Sequence, residues 1–458
     1  MLNILLLLCL VLFFVQWVKV GYIYVKIYID IFWSVIMTNE LIKKLNATDV
    51  NERLDALKAI KESTPAPDKR ENDANNHIHT IYSFSPYSPT KAAYMAYMAG
   101  LTSAGIMDHD SLSGAKEFFK ATEILGLGST CGVEVRAKFN RRHWGKINHP
   151  DQEDCIYMAA HGVPHQNLDA FNAYLAPFRA KREQRNAEMC KKINDRFSAF
   201  GITLDYEKDV RPLSMSVLGG SVTERHLTFA LSIKLEQKFG RGEKLVEFVE
   251  KDLGLAVSGK ARERLLDETN EVYAYDLLGV LKSDTSFFYI DANDEMPDAY
   301  EFIKVAKSFG AIPAYAYLGD VGDSVTGDKR AQKFEDDFLD DLIVELKKAG
   351  IEAIAYMPTR NTLPQLERLR KLCKENELFE ISGEDVNSPR QSFECKALAR
   401  PEFSNLITST WALIGHEAIS TEKGLNEGMF SDETKRKMPS LKERAEHFAQ
   451  IGRNSVKK

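Results

Sequence analysis

The spacing of apolar and polar positions changes several times along the chain. Residues 37 to about 63 set charged against apolar positions at helical spacing and predict an amphipathic helix, and Thr64–Asn76 is a polar linker rich in turn residues. Ser88-Pro89 supplies an N-cap followed by proline at the first helical position, which predicts a helix running to about Met98. Gly100 and Gly105 bracket a turn into a short apolar strand, Gly105–Met107. A helix over about Ala115–Leu125 and a strand over Cys131–Val135 follow. The rhythm returns towards the C-terminus: strand Ala311–Tyr317, a helix from about Phe334 to Ala349 stopped by Gly350, strand Ile351–Met357, helix Leu363–Asn376 and strand Leu378–Ser382. Strands alternating with helices imply βαβ units and a parallel sheet, and in such folds the chemistry gathers at the C-terminal strand ends. Between the two halves, from about Asn167 to Glu295, several charged amphipathic helices closed by glycines predict an inserted helical subdomain.

The first 36 residues differ. Leu2–Val18 is a run of 17 residues without a charge, at the lower edge of membrane-spanning length. It has neither a basic n-region nor a small-residue cleavage site, so a secretory signal fits poorly. Two readings stand: a membrane anchor, with Lys19 and Lys26 placing the C-terminal bulk in the cytoplasm, or a start upstream of the true one, since Met37 opens an ordinary soluble N-terminus. Either way the main body is expected in the cytoplasm.

Composition narrows the function classes. The 458 residues are 44% apolar and 28% charged, as in ordinary globular proteins, and suffice for two or three domains or for one large domain with an insertion. A formal charge of −6 argues against binding long nucleic acid through bulk positive charge. The six cysteines, at 9, 131, 155, 190, 373 and 395, form no C-x-x-C pair, which excludes a zinc ribbon and a thioredoxin motif and suits a reducing compartment. Gly126–Gly132 precedes a strand rather than following one, so it is no dinucleotide loop, and neither a P-loop nor a G-x-S-x-G elbow is present.

Chemistry-bearing residues fall at the strand ends. His77 and His79, at i and i+2 on a strand, point to one face and can reach one ion. Asp108, His109 and Asp110 follow the strand that ends near Met107. Glu134 lies within an apolar strand, where a carboxylate needs a metal or Arg136 as partner. Glu384, Asp385 and Asn387 follow the last strand. Each has a plain alternative: a surface H-x-H pair, an N-cap aspartate, a surface ion pair, a turn. Together they place imidazoles and carboxylates at successive strand ends, a mixture that suits Zn²⁺, Mn²⁺ or Fe²⁺ better than Ca²⁺ or Mg²⁺.

The segment "HIHTIYSFSPYSPTKAAYMAYMAGLTSAGIMDHDSLSGAKEFFKA", then "GVEVR", resembles the PHP domain, named for polymerases and histidinol phosphatases. That family opens with H-x-H-T and a serine, continues with a TDHD-like strand end and a G-x-E strand, and closes with a turn that matches Gly383–Asn387. The resemblance is specific over residues 77–136 and extends over about 305–390. It implies a distorted seven-stranded β/α barrel of the α/β class with a helical insertion, and hydrolysis of phosphate esters. The corresponding boundaries are a hydrophobic segment 1–36, a helical extension 37–70, barrel parts 71–166 and 296–405 around the insertion 167–295, and a helical tail 406–458.

Residue by residue, the resemblance places one metal ion among His77, His79, Glu134 and Asp385, and gives His109 to a neighbouring ion. Other positions depart from the pattern: Tyr317 and Asn387 stand where the family has histidines, and near Tyr157, where a third is expected, His161 is the available substitute. One or two ions of Zn, Mn or Fe per chain follow. Arg225 and His226 match, shifted by one, a segment that contributes to the substrate phosphate site in related nucleotide hydrolases. Arg360 and Arg390, past two strand ends, have the chemistry to clamp a phosphate bidentately. The expected activity is a metal-dependent phosphoesterase acting on a small phosphorylated substrate, a phosphomonoester or nucleotide, with Asp108 or His109 as general acid or base. The alternative is a catalytically weak PHP-like protein that binds metal or a phosphorylated ligand. A membrane partner is expected only if residues 1–36 are a true anchor.

Overall fold

The computed structural model describes residues 37–322 and 332–456 and divides the chain into two compact units, one ending at Pro65 and one beginning at Ala66. The hydrophobic run Leu2–Val18 lies outside the described residues; among those described, no helix is long and apolar enough to cross a membrane. In the first unit residues 37–44 are helical, and a second helix spans Val50–Ser63. Asp49 caps it by accepting from the Glu52 N–H at 2.9 Å.

The second unit is built on one curled sheet of seven strands: β1 Asn75–Ile78, β2 Ser103–His109, β3 Gly128–Lys138, β4 Cys155–His161, β5 Ile312–Tyr317, β6 Ala353–Tyr356 and β7 Phe379–Ser382, neighbouring one another in sequence order. Local signals explain the connecting helices. Ser88 accepts from the Lys91 N–H at 3.0 Å and starts the helix Pro89–Met98, and a left-handed Gly350 ends the helix Leu339–Ala349. The latter helix begins later than the Phe334 expected, after a short 3₁₀ turn at Asp336–Phe338.

Two expectations are corrected. The sheet is mixed rather than parallel, because β4 runs antiparallel to both β3 and β5. No crossover helix connects β3 to β4, so the alternation of strands and helices gave no sign of this strand. The expected barrel also lacks a full closing ladder. β1 and the chain after β7 meet at a single parallel bridge, Ile78 with Val386, supported by Asn76 Nδ2 donating to the Ser382 carbonyl at 2.8 Å. A regular ladder would carry residues 383–385 alongside β1. Instead the chain turns so that Asp385 reaches His79.

Strand register sorts the side chains. Glu134, Ala159, Ala314 and Ala353 pair across β3 to β6 and share the inner face, which His161, Ala316, Ala355 and Ile381 continue two residues on. The run of alanines leaves a small cavity against the strand ends, lined also by His77, Leu318, Met357 and Asp385. Tyr315 and Tyr317 occupy the opposite parity of β5, and both are buried. Residues between Met189 and Phe288 form an apolar core of their own, with Ile193, Leu227, Leu245 and Leu277 fully buried. The helix Ser404–Lys423 underlies the sheet rather than trailing from it. Its Thr410 hydroxyl accepts from Asn76 Nδ2 at 2.7 Å, and its Glu417 carboxylate accepts from the Cys131 N–H at 2.9 Å.

Candidate metal centre

Strand β3 and the chain at the ends of β1, β2 and β7 bring five sequence-predicted residues together: His77, His79, His109, Glu134 and Asp385. The Nε2 atoms of His77 and His79 lie 3.1 Å apart. Glu134 Oε2 is 3.6 Å from the first and 3.9 Å from the second, and Asp385 Oδ1 is 3.1 Å from His79 Nε2. Around a tetrahedral ion with bonds near 2.1 Å, ligand atoms are about 3.4 Å from one another. His77, His79 and Glu134 thus form a group able to hold one ion, and Asp385 lies at its edge. His109 Nδ1 is 3.1 Å from the same Glu134 oxygen. His161 is 2% exposed, and its Nε2 is buried without a hydrogen-bond partner on the wall of the same cavity. Such an orphaned imidazole nitrogen, beside donors at ligand spacing, fits a divalent cation better than a purely hydrogen-bonded cluster does.

The electrostatics agree with the geometry. Burial works against ionisation of Glu134, but His77 and His109 hold its carboxyl down to about 2. Burial likewise opposes ionisation of Asp385, and His79 and His77 keep it well below the usual carboxylate range. Burial pushes the His109 and His161 imidazoles down to about 3, leaving them neutral, the form that ligates metal.

The surroundings orient the ligands. Ser83 Oγ donates to Asp108 Oδ1 at 2.6 Å and lies 3.2 Å from His79 Nδ1. A hydroxyl has one proton, already given to Asp108, so it accepts from His79 Nδ1–H, and the lone pair of His79 Nε2 faces the cluster. Asp108 also accepts from the Thr80 N–H at 2.7 Å and the Thr80 hydroxyl at 2.6 Å, and is 1% exposed. This corrects Asp108 as a general acid or base: its oxygens are enclosed and committed to holding Thr80 and Ser83. Gly383 is required by close approach, since a Cβ there would lie 2.6 Å from His77 Cβ.

The departures from the family pattern have new partners. The Tyr317 hydroxyl donates to Asp336 at 2.7 Å, so it does not stand in for a metal-binding imidazole. Asn387 Nδ2 donates to Asp385 Oδ1 at 2.5 Å and orients that carboxylate. His161, the substitute expected near Tyr157, lies with it on β4, where i and i+4 share a face. Arg136, considered as a partner of Glu134, pairs instead with Glu224 at 3.0 Å and with Glu295.

The four predicted phosphate contacts are placed differently from one another. Arg225, half-buried at the start of the helix Glu224–Phe239, bears electrostatically on both His109 and Asp385. His226 is 1% exposed, and its Nδ1 accepts from the Thr223 N–H at 2.9 Å, which makes it part of the helix cap. Arg360 donates through Nε to the Leu318 carbonyl at 3.1 Å. Arg390 is drawn away: it pairs with Asp276 at 2.7 Å and with Asn270, so its reading as a phosphate clamp is corrected. Sequence reasoning missed β4 and the arginines Arg182 and Arg185, which lie in one of the charged amphipathic helices and are buried against Asp110, Glu224 and Glu295.

No family model matches the chain, and no curated protein matches it. Among solved structures it is similar to a protein from Bifidobacterium adolescentis assigned as a metal-dependent phosphoesterase, with a TM-score of 0.46, 18% identity, and coverage of 73% of this chain and 96% of the other. It is also similar to an amidohydrolase from Chromobacterium violaceum with bound sulfate and no metal, with a TM-score of 0.47, 15% identity and the same coverages. Both are distant overall likenesses and assign no function.

Proposed function

We propose that this chain is a metal-dependent hydrolase of phosphate esters, acting on a small phosphomonoester or a nucleotide. The observation that carries this reading is the convergence of His77 and His79 Nε2, 3.1 Å apart, beside Glu134 and Asp385. His77, His79, Glu134 and Asp385 would hold an ion of Zn, Mn or Fe, and His109 and His161 border a second position, for one or two ions per chain. A bound divalent ion supplies polarisation of a phosphoryl oxygen and a bound water of near-neutral pKa. Arg225 would bind phosphate oxygens and stabilise the charge that grows on them in the transition state. His109 is the candidate for moving a proton to the leaving oxygen, and Asp108 supports the site through Ser83 and His79. The choice of phosphate over other esters rests on Arg225 and on the PHP-like motifs, and the acidic chain favours a small substrate over long nucleic acid.

A second reading, a metal- or phosphate-binding protein with little turnover, is favoured by Tyr317 and Asn387, whose polar groups are engaged by Asp336 and Asp385. The full chain loaded with Mn²⁺ or Zn²⁺ and offered p-nitrophenyl phosphate separates the two. Turnover that disappears in His77→Ala with the fold retained supports the hydrolase. Metal binding without turnover of this phosphomonoester or of a nucleotide supports the second reading.

A further inference from the structure

Three arginines and two carboxylates are buried together beside the candidate metal centre, with the half-buried Glu224 joined to them. Glu295, 3% exposed, accepts from Arg136, from Arg182 Nε at 3.2 Å and from Arg185 Nη2 at 2.8 Å. Glu224 pairs with Arg136 at 3.0 Å and with Arg185, and Asp110 pairs with Arg182. Arg179 also donates to the Asp110 carbonyl at 2.6 Å. The side-chain charges of the six balance, so the set needs no outside ion. Burying five of these charges is nonetheless costly compared with apolar packing of the same volume, and what such a network offers in return is a fixed geometry.

Its members lie next to the residues of the site along the chain. Asp110 follows His109, in a left-handed conformation with φ 53°, and its N–H donates to the Glu134 carbonyl at 2.9 Å. Arg136 lies two residues beyond Glu134 on the same face of β3, about 6.6 Å along the strand. Glu224 immediately precedes Arg225 at the start of its helix. Arg225 makes no ion pair among the described residues; it bears on both His109 and Asp385, and Arg182, a member of the network, also bears on His109.

We infer that this buried ion network is the positioning device of the site. By fixing Glu224 against Arg136 on β3, it holds Arg225 at a set distance from the cluster of His77, His79, Glu134 and Asp385. The helical segment that carries Arg182, Arg185, Glu224 and Arg225 is then a part of the site rather than a cover over it. Asp110, Arg136, Glu224 and Glu295 act through Arg225 and His109 and are positioning residues. The inference rests on the reading of Arg225 as the phosphate contact.

The test is calorimetric titration of inorganic phosphate into the full chain loaded with Mn²⁺, with metal content and thermal midpoint measured alongside. Arg225→Ala is expected to weaken phosphate about ten- to hundredfold. Glu224→Asp keeps the charge, and so the pairing of the buried arginines, but shortens the arm by one methylene. It is expected to weaken phosphate about tenfold with metal content unchanged. The double variant is expected to bind no more weakly than Arg225→Ala alone, because Glu224 acts through Arg225. Wild-type affinity in Glu224→Asp, or a loss that adds to that of Arg225→Ala, overturns the positioning role and leaves the phosphoesterase reading intact. A fall in thermal midpoint and metal content in Glu224→Asp, without weaker phosphate binding, would mean a merely structural network. No effect of Arg225→Ala removes the phosphate contact and this inference with it, while turnover of p-nitrophenyl phosphate by the wild-type chain tests the activity separately.

Discussion

Ser83→Ala offers a sharp test of how the site is held. The Ser83 hydroxyl stands between Asp108, 2.6 Å away, and His79 Nδ1, 3.2 Å away. Removing it has two consequences of different size. Asp108 loses one of three hydrogen bonds and keeps those from Thr80, so the fold should lose about 1–3 kcal/mol. His79 loses the acceptor that keeps its proton on Nδ1, so its ring is free to turn or to place the proton on Nε2, the atom that faces His77 and Asp385. Losing such a partner typically weakens metal binding about ten- to hundredfold, or roughly 1.4–2.7 kcal/mol. The assay is competition for Zn²⁺ between the full chain and a chromophoric chelator, with Ser83→Thr as the control that keeps the hydroxyl. Ser83→Ala with the wild-type dissociation constant would refute the orienting chain from Asp108 to His79.

Further outcomes follow from single contacts. Gly383→Ala places a methyl 2.6 Å from His77 Cβ and 2.8 Å from His77 N, so it should cost about 1–3 kcal/mol and weaken metal binding; an unchanged chelator competition would count against the packing of the β7 turn on β1. His416 donates from Nε2 to the Gly310 carbonyl at 2.8 Å and accepts at Nδ1 from the Met429 N–H at 2.9 Å, and burial pushes its pKa down to about 4. Its folded pKa is below the unfolded value of about 6.5, so its stability contribution is complete above that pH and is lost as pH falls from 6.5 towards 4, by up to roughly 3 kcal/mol. Denaturant melts across that range should show a shallower slope in His416→Gln, and equal slopes would contradict the assignment. Arg390→Ala removes a partly exposed pair with Asp276, so stability should fall by less than about 1 kcal/mol and KM for p-nitrophenyl phosphate should not move; a raised KM would return Arg390 to the phosphate site.

The parts of the fold that were legible in the sequence are those written in local chemistry. Ser88-Pro89, Gly350 and the apolar runs mark helices and strands because caps and periodicity act within a few residues. Strand β4 escaped because "CIYMAAH" is joined to its neighbour without a helix, and direction in a sheet is decided by its partners. The meeting of His77 and His79 was legible because H-x-H on a strand points two imidazoles to one face, whereas Glu134 and Asp385 joined them through the PHP resemblance. Asp108 was misread as chemistry because the sequence does not say that Thr80 and Ser83 enclose it. Arg182 and Arg185 gave no sign of their role in a charged amphipathic helix, since only tertiary structure brings Asp110, Glu224 and Glu295 to them across stretches of 39 to more than 100 residues. Arg390 looked like a phosphate clamp for the same reason: its partner Asp276 is 114 residues away.

The central claim is a metal centre on His77, His79, Glu134 and Asp385, and elemental mass spectrometry of the full chain, purified without chelators, tests it most directly. The account predicts one or two transition-metal ions per chain, with loss of an ion in Asp385→Ala while the fold persists. A chain that holds no ion, even after incubation with Zn²⁺ or Mn²⁺, would contradict it.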